Sequence, residues 1–100
     1  MTTALAPDVS QQPVFIALQA NHDTLPIIEA IRDDNPQARF DEYPAMVKIT
    51  APGRLVVRRE SIESHLGRDF DLRELHINLV SLSGEVEESL DEFTLQWKAA

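Results

Sequence analysis

Three histidines and a group of carboxylates are the side chains of this sequence most able to carry chemistry. His22, His65 and His76 are far apart, and none lies in an ExxH or HxxxH spacing that would put two metal ligands on one helix face. No nucleophile motif accompanies His76, so a surface or core-edge histidine is favoured over a catalytic base. The histidines therefore predict neither a metal centre nor an active site.

The carboxylates of residues 85–92 could attract cations, but they lack the alternating ligands and central glycine of an EF-hand loop. We therefore predict a solvated acidic loop there. Cysteine is absent, which excludes disulfides, thiolate metal sites and iron–sulfur clusters in this chain. Glycine occurs only at positions 53, 67 and 84, so no phosphate-binding glycine loop can be formed. Residue types thus predict no cofactor and no metal.

Basic side chains outnumber acidic ones only between residues 48 and 68, in a chain of net charge −8. Arg58 and Arg59 in this segment could clamp a phosphate or carboxylate, or form structural ion pairs with Glu60 and Glu63, and both interpretations stay open. The acidic total disfavours nucleic acid, so a protein or small-molecule partner is expected. No apolar stretch approaches the ~20 residues of a membrane span, and residues 1–13 lack the features of a secretory signal. We expect a cytoplasmic protein with no membrane partner.

The 100 residues are enough for one domain, and we predict a flexible arm over residues 1–13 followed by a folded domain over 14–100. A central strand over 14–20 precedes a helix that begins at Leu25, with Pro26 tolerated in its first turn. An edge strand over 38–43 and a strand over 46–51 follow. A type II turn at Pro52–Gly53 then predicts a hairpin whose second arm covers 54–59.

The carboxyl half predicts a helix over 61–66 that ends at Gly67, and a capping box at Asp71 and Glu74 that opens one more helical turn. A strand over 75–82 should turn Leu75, Ile77 and Leu79 to the core and Asn78, Val80 and Leu82 the other way. A last strand covers 93–97. The order β-α-β-β-β-α-β-β predicts a single α+β domain with a largely antiparallel sheet and two to three short helices.

Two stretches of the sequence are distinctive, EYPAMVKITAPGRLVVRRESIESHLGRDFDL (42–72) and ELHINLVSLSGEVEES (74–89). Both closely resemble the regulatory, or effector, component of bacterial multicomponent phenol hydroxylases. The resemblance runs from Val14 to Lys98 and extends more distantly to the methane monooxygenase regulatory protein and to the toluene monooxygenase effectors. The shared skeleton is Gly67-x-x-Phe70, then Leu75, then Ile77-Asn78-x-x-Ser81-x-x-Gly84.

The resemblance implies an α+β domain with no cofactor and no catalysis of its own. It implies a regulatory subunit that docks on the large subunit of a hydroxylase, above a carboxylate-bridged di-iron centre. Docking would stimulate hydroxylation of phenolic rings that depends on NADH and O2. On the same resemblance, FAD and an iron–sulfur cluster belong to a partner reductase. Weak self-association of the free protein remains open.

Carried over residue by residue, the docking edge of the family corresponds to Asn78 through Gly84 here. The candidate docking residues are Asn78, Val80, Ser81, Leu82, Ser83 and Gly84, together with Arg54, Arg58 and Arg59 of the basic segment. Two other hypotheses compete with this one. The first is a stand-alone module that binds a small aromatic molecule. The weaker is an enzyme that uses His76 and an acidic partner.

Overall fold

The computed structural model describes residues 12–97, so most of the predicted arm, residues 1–11, lies outside the described residues. The elements in chain order are β1 (Pro13–Gln19), α1 (Leu25–Asp34), β2 (Arg39–Tyr43), β3 (Met46–Pro52), β4 (Arg54–Arg58), α2 (Arg59–Leu66), a 3₁₀ helix (Leu72–Asn78), β5 (Leu79–Ser83), β6 (Glu85–Glu88) and β7 (Glu92–Gln96). One sheet has the order β2-β3-β1-β5 and the other β4-β7-β6, and every pair is antiparallel. The predicted α+β fold with antiparallel sheets is confirmed.

The core lies between one face of the four-stranded sheet, helix α1 and the second sheet. Strand β1 is central, and its alternate side chains Val14, Ile16 and Leu18 are fully buried. The predicted inward face of β3 is confirmed, since every second side chain from Val47 to Ala51 is buried. Burying one such aliphatic side chain contributes ~1.5–3 kcal/mol, so this face holds the strands in register. None of the helices in the described part of the chain has the length and apolar character of a membrane span.

Strand β4 does not return alongside β3, and the predicted hairpin over 46–59 is therefore wrong. The positive φ expected at Gly53 is present, at 77°, and the Gly53 N–H donates to the Gln12 carbonyl at 3.1 Å. Both edges of β3 are already occupied, by β1 and β2, so no place is left beside it. The turn instead carries the chain into the second sheet, where β4 pairs with β7.

The predicted strand over 75–82 is half wrong. The capping box at Asp71 and Glu74 is present, but the 3₁₀ helix that it opens continues to Asn78 before β5 begins. Leu75 is buried as expected, whereas Ile77 projects into solvent with 73% of its surface exposed. In a 3₁₀ helix, side chains two residues apart point in different directions, so the two cannot share the core.

The acidic segment over 85–92 is also more ordered than predicted. Residues Glu85–Glu88 form strand β6, which pairs with β7 from Glu85 opposite Gln96 to Glu88 opposite Phe93. Only the three residues that follow act as the turn between the two strands. Strand β7 follows β6 closely in sequence and has buried side chains. Pairing with β7 therefore holds β6 in place, although all the side chains of β6 are exposed.

The outer edge of β4 is closed by a single side chain. Asn35, at the C-cap of α1, is almost fully buried and donates its amide to the Val56 carbonyl at 2.7 Å. Its side-chain oxygen accepts from the Val56 N–H at 2.9 Å, and its amide also reaches the Ile31 carbonyl at 2.8 Å. Asn35 thus replaces a neighbouring strand for one residue and ties α1 to the second sheet.

Candidate docking surface

The segment that the sequence singled out lies at the edge of the four-stranded sheet. We call residues 77–84 the docking ribbon; it comprises the end of the 3₁₀ helix, all of β5 and Gly84. Among the described residues, β5 pairs only with β1, so its outer side is open. An open strand edge with exposed side chains is accessible to a partner protein.

A β-bulge decides which side chains of the ribbon are exposed. Leu79 lies opposite Leu18 and Ser81 lies opposite Ala17, so Val80 is an extra residue with no partner on β1. Such a bulge locally reverses the in–out alternation of a strand. Val80 is consequently 51% exposed, and this part of its prediction is confirmed.

The same bulge corrects the expectation for Leu82. Leu82 lies opposite Ile16, whose side chain is fully buried, and it packs against the core together with Leu79. The sequence had placed Val80 and Leu82 on one outward face because a regular strand has a side-chain period of two. With the bulge between them, only Val80 is presented to a partner. An aspartate at position 82 would therefore disturb folding rather than report on docking.

Gly84 ends the ribbon at the point where the chain passes from one sheet to the other. Its φ is 134°, and a Cβ atom here would lie 3.0 Å from the Val14 Cγ1 and 3.5 Å from the Leu95 Cβ. Only glycine allows this conformation together with this close approach. Ser81 is exposed and Ser83 is half-buried, so the ribbon presents small polar groups next to Val80.

Asn78 is held by a loop distant in sequence. The Asn21 amide donates to the Asn78 Oδ1 at 3.2 Å, and the Asn21 Oδ1 accepts from the backbone N–H of buried Thr24 at 3.0 Å. The Thr24 hydroxyl in turn accepts from the Asn21 N–H at 3.0 Å. The sequence indicated only helix caps at residues 21–24 and gave no sign of this link, because no local signal joins residues 57 positions apart.

The three candidate arginines lie away from the ribbon. Arg54 and Arg58 are on β4, which is separated from β6 by β7. Arg58 contacts Glu92 at 3.6 Å, and Arg59 contacts Asp91 at 2.9 Å. Arg59 also approaches Glu63 at 3.9 Å, one of the partners proposed from the sequence. For Arg58 and Arg59 the structure supports the ion-pair interpretation, with acidic residues of the β6–β7 turn and β7 as the main partners.

His76 is an exposed surface histidine, which agrees with the surface or core-edge position that the sequence favoured. Its Nε2 lies 3.0 and 3.1 Å from the two carboxylate oxygens of Glu88, and its ring meets Phe93 edge-on at 5.9 Å. The contact joins the 3₁₀ helix to β6. Within residues 12–97, no three histidine, aspartate or glutamate side chains are grouped in a way that could hold a metal ion.

The chain is similar to regulatory components of multicomponent monooxygenases. Residues 12–96 match the model of the MmoB/DmpM family. The stimulatory component DmpM of phenol 2-monooxygenase from Pseudomonas sp. (strain CF600) is 42% identical over 85 residues, which cover 85% of this chain and 94% of that protein. A chain in a solved phenol hydroxylase–regulatory protein complex is 46% identical, with a TM-score of 0.84 over 87% of this chain and all of that chain. The methane monooxygenase regulatory protein B shares the fold at 20% identity, with a TM-score of 0.69 over 96% of this chain and 71% of that chain.

Proposed function

The chain belongs to the MmoB/DmpM family, and from this premise we propose that it docks through its ribbon on the large subunit of a di-iron phenol hydroxylase. It is a regulatory, stimulatory component of a phenol hydroxylase complex and is not itself catalytic. The redox chemistry then belongs to the partners, with di-iron in the hydroxylase and FAD and an iron–sulfur cluster in a reductase. We place the assembly in the cytoplasm.

One observation carries the proposal. The likeness to a regulatory chain solved with its hydroxylase is high in both sequence and fold, at 46% identity and a TM-score of 0.84, and it spans the whole of that chain. The ribbon adds a physical reason, because it combines an open strand edge, an exposed Val80 and small polar groups. An apolar centre within a polar rim is the usual composition of a protein interface.

The regulatory effect follows from differential binding. If the ribbon contacts one conformation of the hydroxylase better than another, docking shifts the population toward that conformation by the difference in affinity. Moving an equilibrium from 1:99 to 99:1 requires about a 10⁴-fold preference, or ~5.5 kcal/mol. A few buried contacts at one interface are able to supply such a difference, so no chemical group of this chain needs to reach the substrate.

The exposure of each side chain suggests its role in docking. We propose that Val80 is the central apolar contact, that Asn78, Ser81 and Ser83 supply polar contacts, and that Gly84 keeps the ribbon close to the sheet. Leu82 supports the ribbon from the core side. Arg54, Arg58 and Arg59 lie outside this contact and act through their charge during encounter with an acidic partner surface.

The experiment combines this protein with purified hydroxylase and reductase and measures NADH-dependent phenol hydroxylation. Addition of the wild-type chain should raise turnover, and Val80→Asp should reduce the stimulation while leaving the thermal unfolding midpoint within a few degrees of wild type. Val86→Asp is the matched control, because Val86 is also a half-exposed strand valine but lies on β6. Failure of the wild-type chain to change turnover would refute the proposal.

The alternative function, a stand-alone module that binds a small aromatic molecule, has less support. The depression of about 510 Å³ beside α2 is open and lined largely by charged groups, among them Arg59, Glu63 and Asp71. Sites for small aromatic ligands are usually enclosed and mostly apolar. Phenol that bound the isolated protein in a calorimetric titration, without any hydroxylase present, would favour the alternative.

A further inference from the structure

Exposed apolar side chains are gathered at one end of the four-stranded sheet. Six large apolar side chains are substantially exposed among the described residues, and Leu25, Tyr43, Ile77 and Val80 lie at or near this end, leaving Val86 and Leu90 elsewhere. Isolated exposed apolar groups are normal on a protein surface, but a contiguous group marks an interaction site. Only two of the four belong to the docking ribbon.

The strand register and the loop hydrogen bonds place the four positions at the same end of the sheet. Tyr43 on β2 lies opposite Met46 on β3, which in turn lies opposite Gln19 at the end of β1. The next residue, Ala20, donates its N–H to the Ala45 carbonyl at 3.0 Å, so the β2–β3 turn lies beside the β1–α1 loop. The Asn21–Asn78 hydrogen bond then joins this loop to the ribbon.

The loop itself forms an apolar hollow. Ala20, Asn21, His22 and Leu25 line an open depression of about 300 Å³, and Leu25 is 53% exposed at the first turn of α1. Its lining carries no carboxylate, in a chain whose net charge is −8. A partner's apolar side chain would lose its contact with water here, and it would bury no charged group of the lining. Interface anchor residues usually bind in desolvated surroundings of this kind.

We infer that the hydroxylase covers the whole sheet end, and that an apolar side chain of the hydroxylase seats in the hollow beside Leu25. This inference rests on the proposed function and extends it beyond the ribbon. The contact surface then runs from Tyr43 through the β1–α1 loop to Ile77 and Val80. The Asn21–Asn78 pair is the polar link between its two parts and sets the position of the ribbon relative to the hollow.

The test measures hydroxylase binding by isothermal titration calorimetry, and stimulated turnover at saturation. Leu25→Asp should weaken binding by about tenfold or more, as loss of an interface anchor does. A carboxylate in the first turn of a helix is favourable, so α1 should remain folded. Tyr43→Ala should weaken binding by a smaller factor, and it reports on the far end of the surface independently of α1.

Leu90→Asp is the matched control, because Leu90 is 79% exposed in the β6–β7 turn and should bind like wild type. Normal binding by both Leu25→Asp and Tyr43→Ala, with binding weakened by Val80→Asp, would overturn the inference and leave the proposed function intact. A wild-type chain that neither binds nor stimulates would overturn both. Saturable binding of phenol to the free protein that Leu25→Asp abolishes would overturn the inference in favour of a ligand site.

Discussion

Replacing Asn35 with alanine should lower the free energy of unfolding by about 3 kcal/mol, because it removes the partners of one buried strand residue. The Asn35 side chain provides the bonds to the Val56 N–H at 2.9 Å and to the Val56 carbonyl at 2.7 Å. The Ile31 carbonyl also loses a bond, but it keeps the Asn35 backbone N–H at 3.0 Å. A buried polar group without a partner costs ~1–3 kcal/mol, so two such groups give the stated loss.

Chemical denaturation with urea measures this loss, and thermal unfolding gives a second estimate. For a domain of this size, 1 kcal/mol corresponds to a shift of ~4–8 °C, so the midpoint should fall by roughly 12–24 °C. Asn78→Ala is the control, since its amide shares one 3.2 Å surface bond, and its effect should stay within about 0.5 kcal/mol. Asn35→Asp keeps an acceptor for Val56 but faces two carbonyl oxygens, so it should also be destabilised at neutral pH and partly recover when acid protonates the carboxylate.

An alanine variant within about 1 kcal/mol of wild type would refute the reasoning, because it would mean that the edge of β4 needs no partner at this position. A large loss of stability in Asn78→Ala would also refute the reasoning, since it would show that the surface asparagine contributes as much as the buried one. Wild-type stimulation of the hydroxylase by the folded fraction of Asn35→Ala is expected, because the Asn35 side chain bonds to α1 and β4 and not to the ribbon.

Three further predictions concern a carboxylate, a glycine and an arginine. The side-chain hydrogen bond from Arg73 lowers the pKa of the Asp71 carboxyl to about 2. The ionised carboxylate therefore stabilises the folded state at pH values above its unfolded pKa of about 4. The unfolding midpoints of wild type and Asp71→Asn should differ at pH 7 and converge as the pH falls toward about 2. Gly84→Ala should lower the unfolding midpoint more than Gly67→Ala, because both have positive φ but only position 84 brings a new Cβ to 3.0 Å from another side chain; equal midpoints would contradict this. Arg58→Glu should slow association with the hydroxylase mainly at low ionic strength, and rates unchanged at every salt concentration would limit Arg58 to its ion pair.

Local sequence signals were sufficient for most elements and failed where pairing is not local. The φ of Gly53 was predictable from Pro52–Gly53, but whether the strands on either side pair depends on which edges other strands occupy. The capping box at Asp71 marked a helix start, whereas no glycine or proline marked its end at Asn78. The segment His76 to Leu82 is rich in residues typical of strands, so the 3₁₀ helix over its first part was overlooked.

Resemblance and periodicity contributed differently to the prediction of the candidate site. The resemblance selected Asn78 to Gly84, and this segment does form an open edge. Periodicity then assigned Leu82 to the exterior, because a bulge at Val80 has no signature in a single sequence. Asn21 was missed as a partner of Asn78, since the hydrogen bond exists only after β1 and β5 have paired.

The bulge makes residue 80 the one position in β5 that the sheet does not require. If Val80 were deleted, Leu79 opposite Leu18, Ser81 opposite Ala17 and Leu82 opposite Ile16 would become three consecutive rungs of a regular ladder. A chain one residue shorter would thus be expected to fold with every existing pair retained and an unpaired residue removed. The fold of β5 therefore does not depend on residue 80, and the side chain at this position is free to serve the contact with the hydroxylase that we propose.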